Sequence, residues 1–160
     1  VGGAIPVVGD WNGDGTTTIG VYIPATGAFF LKNSNASGAA DLTFFYGPTS
    51  STFVPVVGDW NNDGTDTIGL YDPATGAFFL KNTNASGNAD IVFQFGVGGA
   101  ATPIAGDWNS DGTDTVGLYD QASGVFFLRN ANAGGPADET IFFGPAGAGF
   151  KALAGNFDGQ

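Results

Sequence analysis

The stretch from Val56 to Asn82 reads VVGDWNNDGTDTIGLYDPATGAFFLKN. It recurs as VVGDWNGDGTTTIGVYIPATGAFFLKN over 7–33 and as IAGDWNSDGTDTVGLYDQASGVFFLRN over 104–130. Its first aspartate is Asp10, Asp59 and Asp107 in turn, at spacings of 49 and 48 residues. Self-similarity at such a period marks a repeat architecture, in which each unit is one supersecondary element. Between Ile19–Gly38 and Ile68–Gly87 only Val21/Leu70, Ile23/Asp72 and Ser34/Thr83 differ. Units are therefore expected over 1–50, 51–98 and 99–148. A fourth should open within 149–160, where LAGNFDGQ repeats the beginning of the pattern.

Each unit reads as four short antiparallel strands. In the second unit these are Pro55–Trp60, Asp66–Asp72, Gly76–Asn82 and Ala89–Gly96. β-branched and aromatic residues fill them, and Asn-Asp-Gly, Pro-Ala-Thr-Gly and Asn-Ala-Ser-Gly punctuate them, which suits hairpins. No helical period of useful length survives the glycines. Successive strand residues point to opposite faces, so Phe78 and Leu80 share one face while Phe79 and Lys81 share the other. Both faces are largely apolar, as in sheets covered on both sides by neighbouring sheets. The expected fold is all-β, with tandem four-stranded units of about 48 residues packed as β-propeller-type blades. A trefoil-like three-fold barrel is the alternative. It leaves the extra first strand unexplained, since that strand recurs at Pro6–Trp11, Pro55–Trp60, Pro103–Trp108 and Ala152–Phe157.

Composition narrows the function. The chain has no Cys and no His, which removes disulfides, thiolate or imidazole metal sites, and Cys- or His-based catalysis. Met is absent even from position 1, which suggests a trimmed or excised piece. Four Lys and Arg against fifteen Asp and Glu give a net charge of -11. Such a surface repels nucleic-acid phosphates and anionic lipid, and no apolar run is long enough for a membrane span. An acidic, thiol-free chain rich in Gly, Thr and Asn reads as extracellular. An enzyme is not expected, because catalysis needs groups in unlike environments and nearly every Asp here is copied into the same repeat slot. A glycosidase-like pair of Asp residues from adjacent loops is set aside on that ground. Glu139 is the only Glu, and it aligns with Leu42 and Ile91.

The loop between the first two strands of each unit carries the only constellation that looks like a site. Oxygen-bearing side chains fall at loop positions 1, 3 and 5, namely Asp10, Asn12 and Asp14, then Asp59, Asn61 and Asp63, then Asp107, Asn109 and Asp111. A carbonyl is available at position 7, from Thr16, Thr65 and Thr113. That spacing can wrap a hard cation such as calcium, with Gly at position 6 for the bend. Position 12 is Val21, Leu70 or Leu118, so the loop is not an EF-hand. Asp and Asn also close such loops without metal, as Asx turns.

The pattern Gly-Asp-x-Asn-x-Asp-Gly between strands, with Phe95-Gly96 and Phe143-Gly144-Pro145-Ala146 closing units, resembles the VCBS/FG-GAP repeats of extracellular β-propellers. The resemblance covers essentially the whole chain. It implies calcium bound through positions 1, 3, 5 and 9, and modules used in adhesion or as accessory parts of secreted enzymes. Position 9 departs from the family's Asp. Thr18, Thr67 and Thr115 stand there, with Thr17, Asp66 and Asp114 one place earlier. With two aligned carboxylates per loop, any calcium site would bind at about 0.1–1 mM.

Other recurring residues have plain readings. Trp11, Trp60 and Trp108 are expected to pack between units, with stacking on sugar rings as the alternative. The Phe29/Phe30, Phe78/Phe79 and Phe126/Phe127 pairs are expected in the core. Lys32, Lys81 and Arg129 should pair with nearby Asp residues. Asn35-Ala-Ser37 and Asn84-Ala-Ser86 match the glycosylation sequon, but Asn132-Ala-Gly134 does not, which favours a turn role for this Asn. The expected function is a non-catalytic extracellular repeat module for adhesion, binding or structural presentation. Its partners would be flanking repeats or other copies of itself, a glycan or a cell-surface protein. A self-assembling filament or sheath subunit and a lectin are the alternatives.

Overall fold

The computed structural model describes residues 3–147, 149 and 151–153. Twelve strands follow in chain order and no helix occurs among these residues. They are β1 (Ile5–Gly9), β2 (Thr18–Ile23), β3 (Ala28–Leu31), β4 (Leu42–Phe45), β5 (Val54–Gly58), β6 (Thr67–Asp72), β7 (Ala77–Leu80), β8 (Ile91–Gln94), β9 (Thr102–Gly106), β10 (Thr115–Asp120), β11 (Val125–Leu128) and β12 (Glu139–Phe142). They form three four-stranded antiparallel meanders, β1-β2-β3-β4, β5-β6-β7-β8 and β9-β10-β11-β12. Each sequence unit is thus one sheet. A trefoil-like barrel would need pairing between units, and these three sheets stay separate. The strand expected over 152–157 runs into residues outside those described.

Strands are shorter than the hydrophobic runs. The first strand of unit 2 ends at Gly58, leaving Trp60 in the loop, and the fourth covers Ile91–Gln94 rather than 89–96. Side-chain competition explains both edges. The Asp59 carboxylate takes the Asp63 and Gly64 amides, and the Asp90 carboxylate takes the Asn82 amide, so these segments turn away from the ladder. The β6–β7 hairpin closes through Gly76, which donates its N–H to the Asp72 carbonyl and sits at φ +75°, where a side chain would be strained. Gly69 lies between Val56 and Leu80 in register. A Cβ there would come within 2.6 Å of Leu80 and 2.9 Å of Val56, whose side chains close over it.

The two cores lie between sheets. The first joins Val7, Trp11, Tyr22, Phe29, Leu31 and Phe44 of unit 1 to Ile68 and Leu70 of unit 2. The second repeats it one unit on, joining Val56, Trp60, Tyr71, Phe78 and Leu80 to Val116 and Leu118. Trp11 and Trp60 are each 3% exposed inside these junctions, so they serve packing and offer no open ring face. The paired phenylalanines divide, contrary to the expectation that both are core. Phe29 and Phe78 are fully buried, whereas Phe30 is 41% exposed, because adjacent strand residues face opposite ways.

Position in the array decides burial at equal sequence. Ile19 is 51% exposed, while Ile68 and Val116 in the same slot are fully buried. Unit 1 turns that face, with Val8 and Phe30, toward no described sheet. At the other end Phe143 is 74% exposed, although Tyr46 and Phe95 in its slot are buried. Truncating a buried Ile to Ala costs about 2–5 kcal/mol, whereas exposed positions change by about 0.5 kcal/mol. Ile68→Ala is therefore expected to lower the urea midpoint strongly and Ile19→Ala hardly at all. Equal effects would contradict the inter-sheet core.

Candidate functional site

The three acidic loops share one hydrogen-bonded form. In unit 1 the Asp14 amide donates to Asp10 Oδ1 at 3.1 Å and the Gly15 amide to Asp10 Oδ2 at 2.6 Å. The Thr16 amide donates to Asp14 Oδ1 at 2.8 Å, and Asn12 Nδ2 to Asp14 Oδ2 at 2.9 Å. Asp59, Asn61 and Asp63 repeat this set, as do Asp107, Asn109 and Asp111. The Asn partner holds the carboxyl of Asp14 below its ordinary range, and likewise those of Asp63 and Asp111.

Hydrogen bonds thus tie positions 1, 3 and 5 of each loop together. Positions 7 and 9 are engaged in different ways. The amides of Thr16, Thr65 and Thr113 face the position-5 carboxylates. Thr18, Thr67 and Thr115 are buried, and each hydroxyl donates to two carbonyls of its own sheet, for example Gly9 and Lys32 in unit 1. Both carboxylates of every loop already accept two hydrogen bonds, and among the described residues no group of three acidic side chains converges. These carboxylates close their loops on the loops' own amides.

The residues one place earlier do a different job. Asp66 reaches back to the preceding unit. Its Oδ2 accepts the Asp10 N–H at 2.7 Å, and its own N–H donates to the Asp10 carbonyl at 2.8 Å. Asp114 clasps Asp59 in the same way, at 3.0 and 2.9 Å. The sequence shows these aspartates but not their reach, because a partner 55 or 56 residues away leaves no local pattern. Burial pushes both carboxyls above the usual range, and the N–H bond only partly offsets it. Charge from Asp10, Asp59 and Asp114 adds to the rise at Asp66. Unit 1 has exposed Thr17 in this slot.

The remaining polar repeats are structural. Lys32, Lys81 and Arg129 meet Asp41, Asp90 and Asp138 at 3.5, 3.9 and 2.8 Å. Lys81 is buried, donates to the Asn88 carbonyl, and lies 5.7 Å from the centre of the Tyr46 ring across the junction. Burial raises the Tyr46 phenol well above its ordinary range, and its hydroxyl donates to the Phe79 carbonyl. Asn35, Asn84 and Asn132 donate to the carbonyls of Thr17, Asp66 and Asp114, so the sequon asparagines pin their loops to the sheet. No family model, curated protein or solved structure matches the chain.

Because the folded pKa of Asp66 lies above its unfolded value, the folded chain holds a proton that the unfolded chain has released between the two values. The contribution is thus favourable in acid and is lost as pH rises through that window. Asp66→Asn keeps an oxygen for the Asp10 N–H and carries no charge. It is expected to match or exceed the parent in urea stability near neutral pH, with its advantage shrinking toward about pH 4. A loss above about 1 kcal/mol at neutral pH would show that the charge itself holds the clasp. Calcium at about 10 mM, well above the weak extracellular range, is expected to leave the melting temperature in place. An upward shift abolished by Asp59→Asn would restore the cation reading.

Proposed function

We propose that the chain is a non-catalytic extracellular scaffold module that works by stacking, its sheets serving as propeller-type blades in a longer or closed array of the same unit. One observation carries this reading. Slots buried or half-buried at the internal junctions are open at the two ends, with Ile19, Val8 and Phe30 at one end and Ile141 and Phe143 at the other. Each end shows the face that its own siblings cover, so the chemistry that fits it is another copy of this repeat. Such contacts are head-to-tail; they give a ring when the rotation closes and a fibre when it does not. Flanking repeats of the same polypeptide and separate chains offer the same face.

The repeated aspartates support a structural role rather than a catalytic one, since equivalent loops hold their carboxylates in equivalent bonds. The acidic, cysteine-free composition supports an extracellular setting. The likeness to VCBS/FG-GAP repeats supports adhesion or the presentation of a neighbouring domain. Sedimentation of the purified chain up to about 100 μM is expected to show concentration-dependent association. Ile19→Lys, on the exposed end face, should weaken it without altering the fold. A monomer throughout that range, or association indifferent to Ile19→Lys, would overturn the stacking role.

A further inference from the structure

The two internal junctions differ at one place. On unit 2's side of its junction with unit 1, Phe53 stacks on Phe79, with ring centres 5.8 Å apart and planes 13° from parallel. The equivalent residues on unit 3's side of the next junction are Ala101 and Phe127, counting from Asp59 and Asp107. The connecting segment there is also one residue shorter. Thr49-Ser50-Ser51-Thr52-Phe53 gives way to Gly98-Gly99-Ala100-Ala101. Removing a phenyl group and its polar neighbours from a packed junction leaves space. A groove of about 440 Å³ opens there, lined by Phe95, Ala101, Leu118, Phe127, Ala137 and the Asp120 side of β10. That is within the usual range for small-molecule sites.

We propose that this groove is a binding site for a ligand carrying one aromatic ring and a cationic substituent, of the arylalkylamine class. The ring takes the seat that Phe53 fills in the sister junction, lying against Phe127 and Leu118. The charge preference comes from Asp120. Its carboxylate is kept ionised by the Ser123 hydroxyl and the Ala122 amide, and its pKa is lowered accordingly. No described cation pairs with it, and the chain's net charge of -11 disfavours an anionic ring further. Phe53 fills the other junction with this chain's own atoms, so the site occurs once among the described junctions.

Benzylamine and benzoate, followed by amide chemical shifts of the intact chain, test the proposal. Benzylamine should bind in about the millimolar range expected for a single ring, shifting Gly96, Leu118 and Phe127, and benzoate should bind at least several-fold more weakly. Ala101→Phe should weaken benzylamine about tenfold or more, equivalent to about 1.4 kcal/mol, and raise the melting temperature by filling the groove. Phe53→Ala should create a second benzylamine site between units 1 and 2, near Phe79. Benzylamine binding unchanged by Ala101→Phe overturns the assignment, as does benzoate binding equal to benzylamine, or no binding of either probe. These outcomes are independent of self-association, because the groove lies within one chain.

Discussion

Everything in this chain depends on one sheet covering another. A four-stranded sheet of four- to six-residue strands has two apolar faces, and no single unit can hide either from water. The chain answers by repetition. Each unit's Tyr, Phe and Leu face closes on the Ile or Val and Leu of the next, so the hydrophobic core is shared property of a junction. Glycine at the middle of the second strand lets the Val and Leu of the adjoining strands meet over it. Polar ties then fix the angle at which the sheets meet. The aspartate clasp sits beside the first strand, while the Ser86 hydroxyl accepts the Phe45 amide at the outer edge.

Much of this was legible in the sequence, because repetition converts one local pattern into three. The alternation in GAFFLKN placed Phe78 and Leu80 together, and the loops held their aspartates where the spacing put them. Trp11 and Trp60 lie between units as expected, but the polar clasps and the difference between inner and end units escaped. Phe30 and Phe79 are the same residue in the same local sequence, yet the first is open and the second packs against a neighbouring core. Only the count of sheets on either side decides between them. The aspartates at loop position 8 looked like misplaced cation ligands, and their partners proved to be backbone groups of the preceding unit.

The acidic loops illustrate how one spacing serves two chemistries. Carboxylates at positions 1 and 5 can surround a cation or gather amides, and the choice turns on the fourth anchor. Here that anchor is a threonine whose hydroxyl bridges two strands from inside the sheet. The following unit's aspartate then takes the loop's first amide from outside. Stability and assembly are coupled at this point, since the Asp10 and Asp59 amides are satisfied only when the following unit is in place.

Thr17 gives this coupling a direction. The leading side of unit 1 has the greasy patch of its siblings but, in the slot of the clasping carboxylate, only the Thr17 hydroxyl, whose oxygen sits one carbon closer to the backbone than a carboxylate oxygen. A joint made through that side would hold by grease without the latch. Such a joint, within one polypeptide or between two, would open before the two junctions that carry the latch.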